Sequence, residues 1–122
     1  MSTALAAARA YSKNSEQTKS NRDLEYDVFL SITREMKHLQ AQTTPAFAKL
    51  VDTLNKNERL WTEIGVQVAD NDNALPSDLR ARLFYMTRFV SHQTSKVLKG
   101  DADLESLVDV NIAVLRGLKG KV

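Results

Sequence analysis

Apolar side chains recur every three or four residues in several successive stretches of this 122-residue chain. The clearest stripe has spacings of four, four, four and three, and it consists of Leu24, Val28, Ile32, Met36 and Leu39. An α-helix turns once in about 3.6 residues, so such a stripe places all of its members on one face. A helix with one apolar face buries that face against other elements. The chain is therefore expected to fold by packing helices together.

Glycine and proline are scarce, with four and two copies. A β-sandwich needs a turn about every 8–12 residues, so this composition favours helices. The pattern predicts five of them, near residues 2–13, 21–42, 45–69, 76–99 and from Asp101 or Asp103 to about residue 118. The sequence thus predicts an all-α fold, a single-domain bundle of about five helices over residues 1–122, joined by short connections.

Several residues predict where these helices begin and end. Thr44 is a suitable N-cap, and Pro45 suits the first helical position after it. Residues 70–73, Asp-Asn-Asp-Asn, are typical of a turn and end the third helix. Gly65 lies within that helix and is expected to let a neighbouring helix approach closely. Gly100 is expected to end the fourth helix in a left-handed conformation.

The first predicted helix, residues 2–13, has a narrow apolar face of small residues. Burying such a face contributes little, so this helix is expected to dock loosely. The N-terminus also lacks the initial basic cluster and long apolar stretch of a signal peptide. No apolar run approaches the roughly 20 residues that span a bilayer. We therefore expect a cytoplasmic protein without membrane insertion.

The residues that catalysis or metal binding would need do not form a recognisable pattern. Cysteine is absent, which excludes thiol chemistry and cysteine metal sites. His38 and His92 have no metal-binding partner at the third or fourth position. The pairs Asp70/Asp72 and Asp101/Asp103 lack the glycine and the distal glutamate of a calcium loop. The scattered glycines form no phosphate loop. The sequence predicts no catalytic residue, no metal and no cofactor.

The distribution of charged residues does not decide whether the partner is RNA or a protein. The net charge is +2, and neither half of the chain carries a basic block. Arg80, Phe84 and Arg88 follow each other at four-residue intervals, so they share one helix face, with Arg82 to one side. Such a face could bind single-stranded RNA. It could equally be a surface whose arginines form ion pairs and whose aromatic side chains are buried. The single Trp61 is either a core residue or an anchor in a protein interface.

Several short motifs resemble the FlaF family of flagellar biosynthesis regulators. Residues 73–83, Asn-Ala-Leu-Pro-Ser-Asp-Leu-Arg-Ala-Arg-Leu, are similar to the family's N-x-L-P turn and the L-R-A-x-L helix that follows. Residues 57–61, Asn-Glu-Arg-Leu-Trp, are similar to its Asn-x-x-Leu-Trp segment. Lys99-Gly100-Asp101 and residues 110–118 also fit. Residues 84–88, Phe-Tyr-Met-Thr-Arg, depart from the family, which more often has a smaller aliphatic run there.

The resemblance implies a non-enzymatic factor in flagellum assembly that promotes flagellin synthesis or export. FlaF proteins act with the regulator FlbT, either as flagellin-binding secretion chaperones or in post-transcriptional control, so RNA stays an alternative partner. We expect a flagellin helix to bind in a groove between the third and fourth predicted helices. The candidate partner-binding residues are Trp61, Arg80, Phe84, Tyr85, Arg88 and Phe89. The sequence leaves open the oligomeric state and whether the first helix packs on its own bundle or on a partner.

Overall fold

Four helices account for most of the residues that the structure describes. A computed structural model describes the backbone of residues 17–120 and the side chains of residues 26–117. The helices are α1 (Gln17–Gln40), α2 (Phe47–Ala69), α3 (Ser77–Leu98) and α4 (Glu105–Gly120), and this part of the chain contains no strand. The predicted all-α class is confirmed. The helix predicted over residues 2–13 lies outside the described residues.

Two helix starts differ from the predictions. Helix α1 begins at Gln17, so the polar residues 17–20 belong to the helix and not to the preceding loop. Helix α2 begins at Phe47, because Ala46 still has an extended backbone with φ −61° and ψ 127°. Ala46 occupies the N-cap position without a side-chain hydrogen bond, so the N-cap predicted at Thr44 is wrong.

The connection between α2 and α3 is built from the predicted turn residues. Helix α2 ends at Ala69, as predicted. The backbone N–H of Asp72 donates to Asp70 Oδ1 at 2.9 Å, and that of Leu75 donates to Asn73 Oδ1 at 2.9 Å. The side-chain amide of Asn73 also donates to Gln67 O at 3.0 Å, which ties the turn to the end of α2. Short polar side chains therefore hold this turn by hydrogen bonding to backbone groups close to them.

Helix α3 ends in the left-handed conformation predicted for Gly100. The φ angle of Gly100 is +82°, and the N–H of Asp101 donates back to Lys96 O at 2.9 Å. This bond closes the last turn of α3 in the manner of a Schellman motif. Asp103 then accepts a bond from the N–H of Glu105 at 3.0 Å, so of the two candidate caps it is Asp103 that binds the first turn of α4.

Each helix packs on two neighbours, in the cyclic order α1, α2, α3, α4. Helices α2 and α3 form the most extensive interface, and α1 and α3 lie diagonally opposite each other. A Cβ atom at Gly65 of α2 would lie 2.9 Å from Thr87 Cγ2 of α3, so the glycine permits this close approach, as predicted. The same contact brings the two helices close together where they touch. The flagellin-binding groove predicted between them stays a prediction.

The core contains apolar side chains from all four helices. Its centre is Trp61, which is 1% exposed and meets the ring of Phe29 edge to face, with 5.8 Å between ring centroids. The edge-to-face geometry is one that aromatic pairs favour. The buried apolar residues are Phe29, Ile32, Met36, Leu39, Leu54, Leu60, Trp61, Ile64, Val68, Val90, Val97, Leu104, Leu107, Val108 and Leu115.

A buried polar network crosses this core around Asn111 of α4. The indole Nε1–H of Trp61 donates to Asn111 Oδ1 at 2.9 Å. The amide of Asn111 donates to Asn57 Oδ1 of α2 at 2.8 Å and to Thr33 Oγ1 of α1 at 3.1 Å. Thr33 in turn donates to Phe29 O. Because buried polar groups cost free energy when they lack partners, this network fixes the relative position of three helices.

An ionic cluster around Glu35 joins α1 to α2 at the bundle surface. Glu35 Oε1 accepts a bond from Thr53 Oγ1 at 3.1 Å and lies 3.4 Å from Lys56 Nζ and 3.8 Å from Lys49 Nζ. The charge of Glu35, and then that of Asp52, raises the pKa of Lys56 above its ordinary value of 10.5. Exposed ion pairs of this kind contribute little to stability, so the core network and not this cluster determines how α1 and α2 align.

Candidate functional site

Exposed apolar side chains concentrate on the α2–α3 hairpin. Among the described residues, five large apolar side chains are exposed, and four of them lie between residues 66 and 85. Their exposed fractions are 59% for Val66, 37% for Leu75, 43% for Phe84 and 72% for Tyr85. The fifth, Phe47, lies at the start of α2, away from the turn of the hairpin. An apolar cluster on a protein surface marks a binding site more often than scattered residues do.

Val66 and Phe84 lie on the same outer side of the hairpin. Gly65 and Thr87 face each other across the α2–α3 interface. Val66 follows Gly65 by one residue, and Phe84 precedes Thr87 by three, which rotates them by about 100° and 60° respectively. In two antiparallel helices these rotations turn both side chains away from the core, toward the same solvent-facing side. Tyr85 lies next to Phe84 and points further outward.

The exposure of Phe84 and Tyr85 follows from the packing of α3. Its buried residues are Val90, Thr94 and Val97, all in the second half of the helix. From Ser77 to Phe89 no side chain is buried, although this half contains large apolar and aromatic residues. The first half of α3 therefore carries more apolar surface than its neighbours cover.

The surface around these side chains is basic. Residues 79–100 contain five Lys or Arg residues and no Asp or Glu. Arg88 is exposed one turn beyond Phe84, and Arg59 is exposed about two turns before Val66 on the same side of α2. Neither arginine forms an ion pair within the described part of the chain. We call the surface formed by Arg59, Val66, Phe84, Tyr85 and Arg88 the hairpin face.

A comparison with known families identifies the chain. The family model described as flagellar protein FlaF matches residues 7–118. The chain belongs to the FlaF family. No curated protein and no solved structure matched it significantly.

The candidate residues predicted from the sequence do not form one site. Phe84, Tyr85 and Arg88 lie together on the hairpin face. Trp61 is buried in the core with its indole N–H bonded to Asn111, so it presents no surface to a partner in this conformation.

The other two candidates are less exposed than the hairpin face. Arg80 is half-buried, and its Nη1 donates to Asp70 O at 2.9 Å, which ties the start of α3 to the turn. Phe89 is half-buried and packs against the core. It lies one turn beyond Tyr85, so it borders the hairpin face from the buried side. Arg80 and Phe89 therefore support the fold.

The FlaF motifs also lie on residues that hold the fold together. Asn57 and Trp61 belong to the Asn-x-x-Leu-Trp segment, and Asn111 lies in the downstream motif; all three belong to the buried network. The motif turn contains Asn73, whose amide and carbonyl oxygen are both hydrogen-bonded. Asn57, Trp61, Asn73 and Asn111 of the motifs thus serve the scaffold, whereas Leu75 of the N-x-L-P turn is exposed.

Sequence reasoning missed Arg59, Val66 and the charge asymmetry of α3. The charge signal was present but was hidden by counting over halves of the chain, since acids near residues 70–78 and 101–109 balance the basic residues between them. Val66 lies outside the apolar stripe of α2 already in the sequence, two residues from both Ile64 and Val68, but only the packing shows that it shares a surface with Phe84.

The other residues that metal binding could use are the histidines and the acidic side chains. His38 and His92 are exposed. Among the described residues no group of three His, Cys, Asp or Glu side chains is placed to hold a metal ion. In the same part of the chain, no helix has the length and apolar character to cross a membrane.

Proposed function

We propose that this FlaF-family chain is a cytoplasmic, non-enzymatic flagellum-assembly factor that binds flagellin and promotes its synthesis or export as a chaperone-like regulator. The observation that supports binding is the hairpin face, where Val66, Phe84 and Tyr85 are exposed together. A factor that handles unassembled subunits has to cover apolar helix surface that would otherwise aggregate. An exposed pair of antiparallel helices offers a surface on which such a helix can pack.

The size of the apolar cluster indicates a reversible complex. Each large apolar side chain that becomes fully buried contributes about 1.5–3 kcal/mol, and association itself costs several kcal/mol. Three or four such side chains contribute about 4.5–12 kcal/mol before this cost, so they support an affinity that is at best about micromolar. An affinity of this size would let flagellin be released to the export machinery.

Calorimetry with purified monomeric flagellin from the same organism tests this function. We expect binding at micromolar concentrations with a negative heat-capacity change, because apolar surface is buried. Tyr85→Ala should weaken binding about tenfold or more, since exposed tyrosines often dominate interfaces. Phe47→Ala is the matched control, because Phe47 is also exposed but lies outside the hairpin face. No detectable binding by the unaltered chain contradicts the proposal.

Direct contact with flagellin mRNA is the second candidate function. It is supported by the absence of acids in residues 79–100 and by Phe84 and Tyr85, on which bases could stack. RNA binding of this kind weakens steeply with salt. A gel-shift assay at low salt with the flagellin transcript tests it, and the absence of a complex there excludes direct contact.

The regulator FlbT is a further proposed partner, through the family resemblance alone. Co-purification of the two full-length proteins tests that pairing.

A further inference from the structure

The charge of the hairpin face specifies what kind of segment it fits. We propose that the hairpin face binds an acidic amphipathic helix of flagellin, whose carboxylates lie about one to two turns from its apolar anchors. This inference rests on the proposed flagellin binding and adds the surface, the conformation and the charge of the bound segment.

The spacing follows from the positions of the exposed residues. Arg88 lies four residues beyond Phe84, and Arg59 lies seven residues before Val66. At 1.5 Å per residue these separations are about 6 Å and 10 Å along the helix axes. Because α2 and α3 run antiparallel, both arginines lie on the same side of the apolar cluster, further from the turn. A helix lying along the hairpin with its apolar residues on Val66 and Phe84 therefore needs carboxylates about four to seven residues along.

Charge complementarity favours this occupant. Arg59 and Arg88 form no ion pair among the described residues, and α3 has no acid after Asp78. The acids nearest to the apolar cluster in sequence are Glu63, which is half-buried about one turn before Val66, and Asp72 and Asp78, which lie three residues from Leu75 at the turn. Carboxylates of an acidic partner could therefore pair with these two arginines, which increases both the specificity and the rate of association.

The same charges disfavour two other occupants. Residues 1–16 of this chain contain Arg9 and Lys13 against Glu16, so this segment would bring net positive charge to a basic surface. A symmetric dimer through the hairpin face would place the arginines of one copy near those of the other, because an isologous interface repeats the same patch.

The aliphatic part of the cluster disfavours RNA. Val66 is exposed on the same side of the hairpin as Phe84, and it offers no plane for base stacking. A helix with leucine- or valine-like side chains covers such residues with apolar contacts. The hairpin face is therefore suited to an amphipathic helix.

Charge reversal in the full-length chain tests the proposal. Calorimetry with monomeric flagellin is carried out at low and at high salt on the unaltered chain, Arg59→Glu, Arg88→Glu and the control Arg34→Glu. Arg34 is exposed on α1, diagonally opposite α3, and its substitution changes the net charge equally. We expect Arg59→Glu and Arg88→Glu each to weaken binding about tenfold and to reduce its salt dependence, and Arg34→Glu to leave binding unchanged. A peptide of the acidic amphipathic helix alone should compete with flagellin.

The possible results separate this inference from the function on which it rests. If the unaltered chain does not bind flagellin, the proposed function and this inference both fail. If it binds but Arg88→Glu and Arg34→Glu behave alike, the inference fails and the function stands. The inference is also overturned if Arg88→Glu abolishes RNA binding in the gel-shift assay without weakening flagellin binding. It is likewise overturned if the chain forms a dimer that Tyr85→Ala dissociates.

Discussion

Replacing Asn111 with alanine should destabilise the bundle more than any exposed substitution. The change removes the acceptor of the Trp61 indole N–H and the donor to Asn57 Oδ1, and both of those groups stay buried. An orphaned buried polar group costs about 1–3 kcal/mol, and the small cavity adds about 1 kcal/mol. The two orphaned groups and the cavity together give an expected loss in the free energy of unfolding of about 3–7 kcal/mol. A domain of this size has about 5–15 kcal/mol in total, so the variant should be marginally stable.

Urea denaturation followed by far-UV circular dichroism measures this loss. Asn55→Ala is the matched control, because Asn55 is exposed on α2 and alanine favours helix, so its effect should stay within about 0.5 kcal/mol. Trp61→Phe removes the indole N–H, so in that background Asn111→Ala leaves no indole donor without an acceptor. The double-mutant cycle should therefore show a coupling of about 1–2 kcal/mol. An Asn111→Ala effect no larger than that of Asn55→Ala, or strict additivity in the cycle, would refute the assigned role of the network.

Three further predictions concern helix contacts and charge. Gly65→Ala should destabilise the fold by about 1–3 kcal/mol in urea denaturation, because its Cβ meets Thr87 at 2.9 Å, and Thr87→Ala should relieve the loss. Gly100→Ala should cost about 1–2 kcal/mol in the same assay, because φ there is +82°; an unchanged midpoint would contradict this. The raised pKa of Lys56 stabilises the fold fully below pH 10.5 and loses this effect as pH rises through the raised value. The advantage of the unaltered chain over Glu35→Gln in denaturation should therefore shrink at strongly alkaline pH.

The helices were predictable because local sequence and tertiary packing agree in most places. The stripe of Ile32, Met36 and Leu39 is buried as expected, and Gly100 ends α3 as expected. The start of α2 was not predictable from capping preference, since Thr44 is a good cap in isolation and the extended Ala46 delays the helix. The residue that meets Gly65 across the α2–α3 interface was not predictable either, since only the folded hairpin brings Thr87 to it.

The candidate site was predictable only in part. Phe84, Tyr85 and Arg88 were identified from an unusually apolar helix with interleaved arginines, and they lie on the hairpin face. Helical spacing shows which residues share a face, but it cannot show which face the neighbouring helices cover. For that reason Phe89 was predicted to contact a partner, although the bundle partly buries it.

In α2 the FlaF motif residues Asn57 and Trp61 lie on the side opposite to the exposed Val66, so fold and binding should be separable by mutation. Asn57 and Trp61 are buried in the core, while Val66 is exposed on the outer side. In α3 the hairpin face is formed by Phe84, Tyr85 and Arg88, none of which is buried.

Tyr85→Ala should consequently change the free energy of unfolding by less than about 0.5 kcal/mol, because Tyr85 is 72% exposed, while it weakens flagellin binding. Trp61→Phe should do the reverse and lower stability without altering the affinity of the molecules that stay folded. Both variants are measured by urea denaturation and by calorimetry with flagellin at a temperature where each is folded. If Tyr85→Ala unfolds the bundle, or if folded Trp61→Phe loses affinity as Tyr85→Ala does, the scaffold and the binding surface are not distinct.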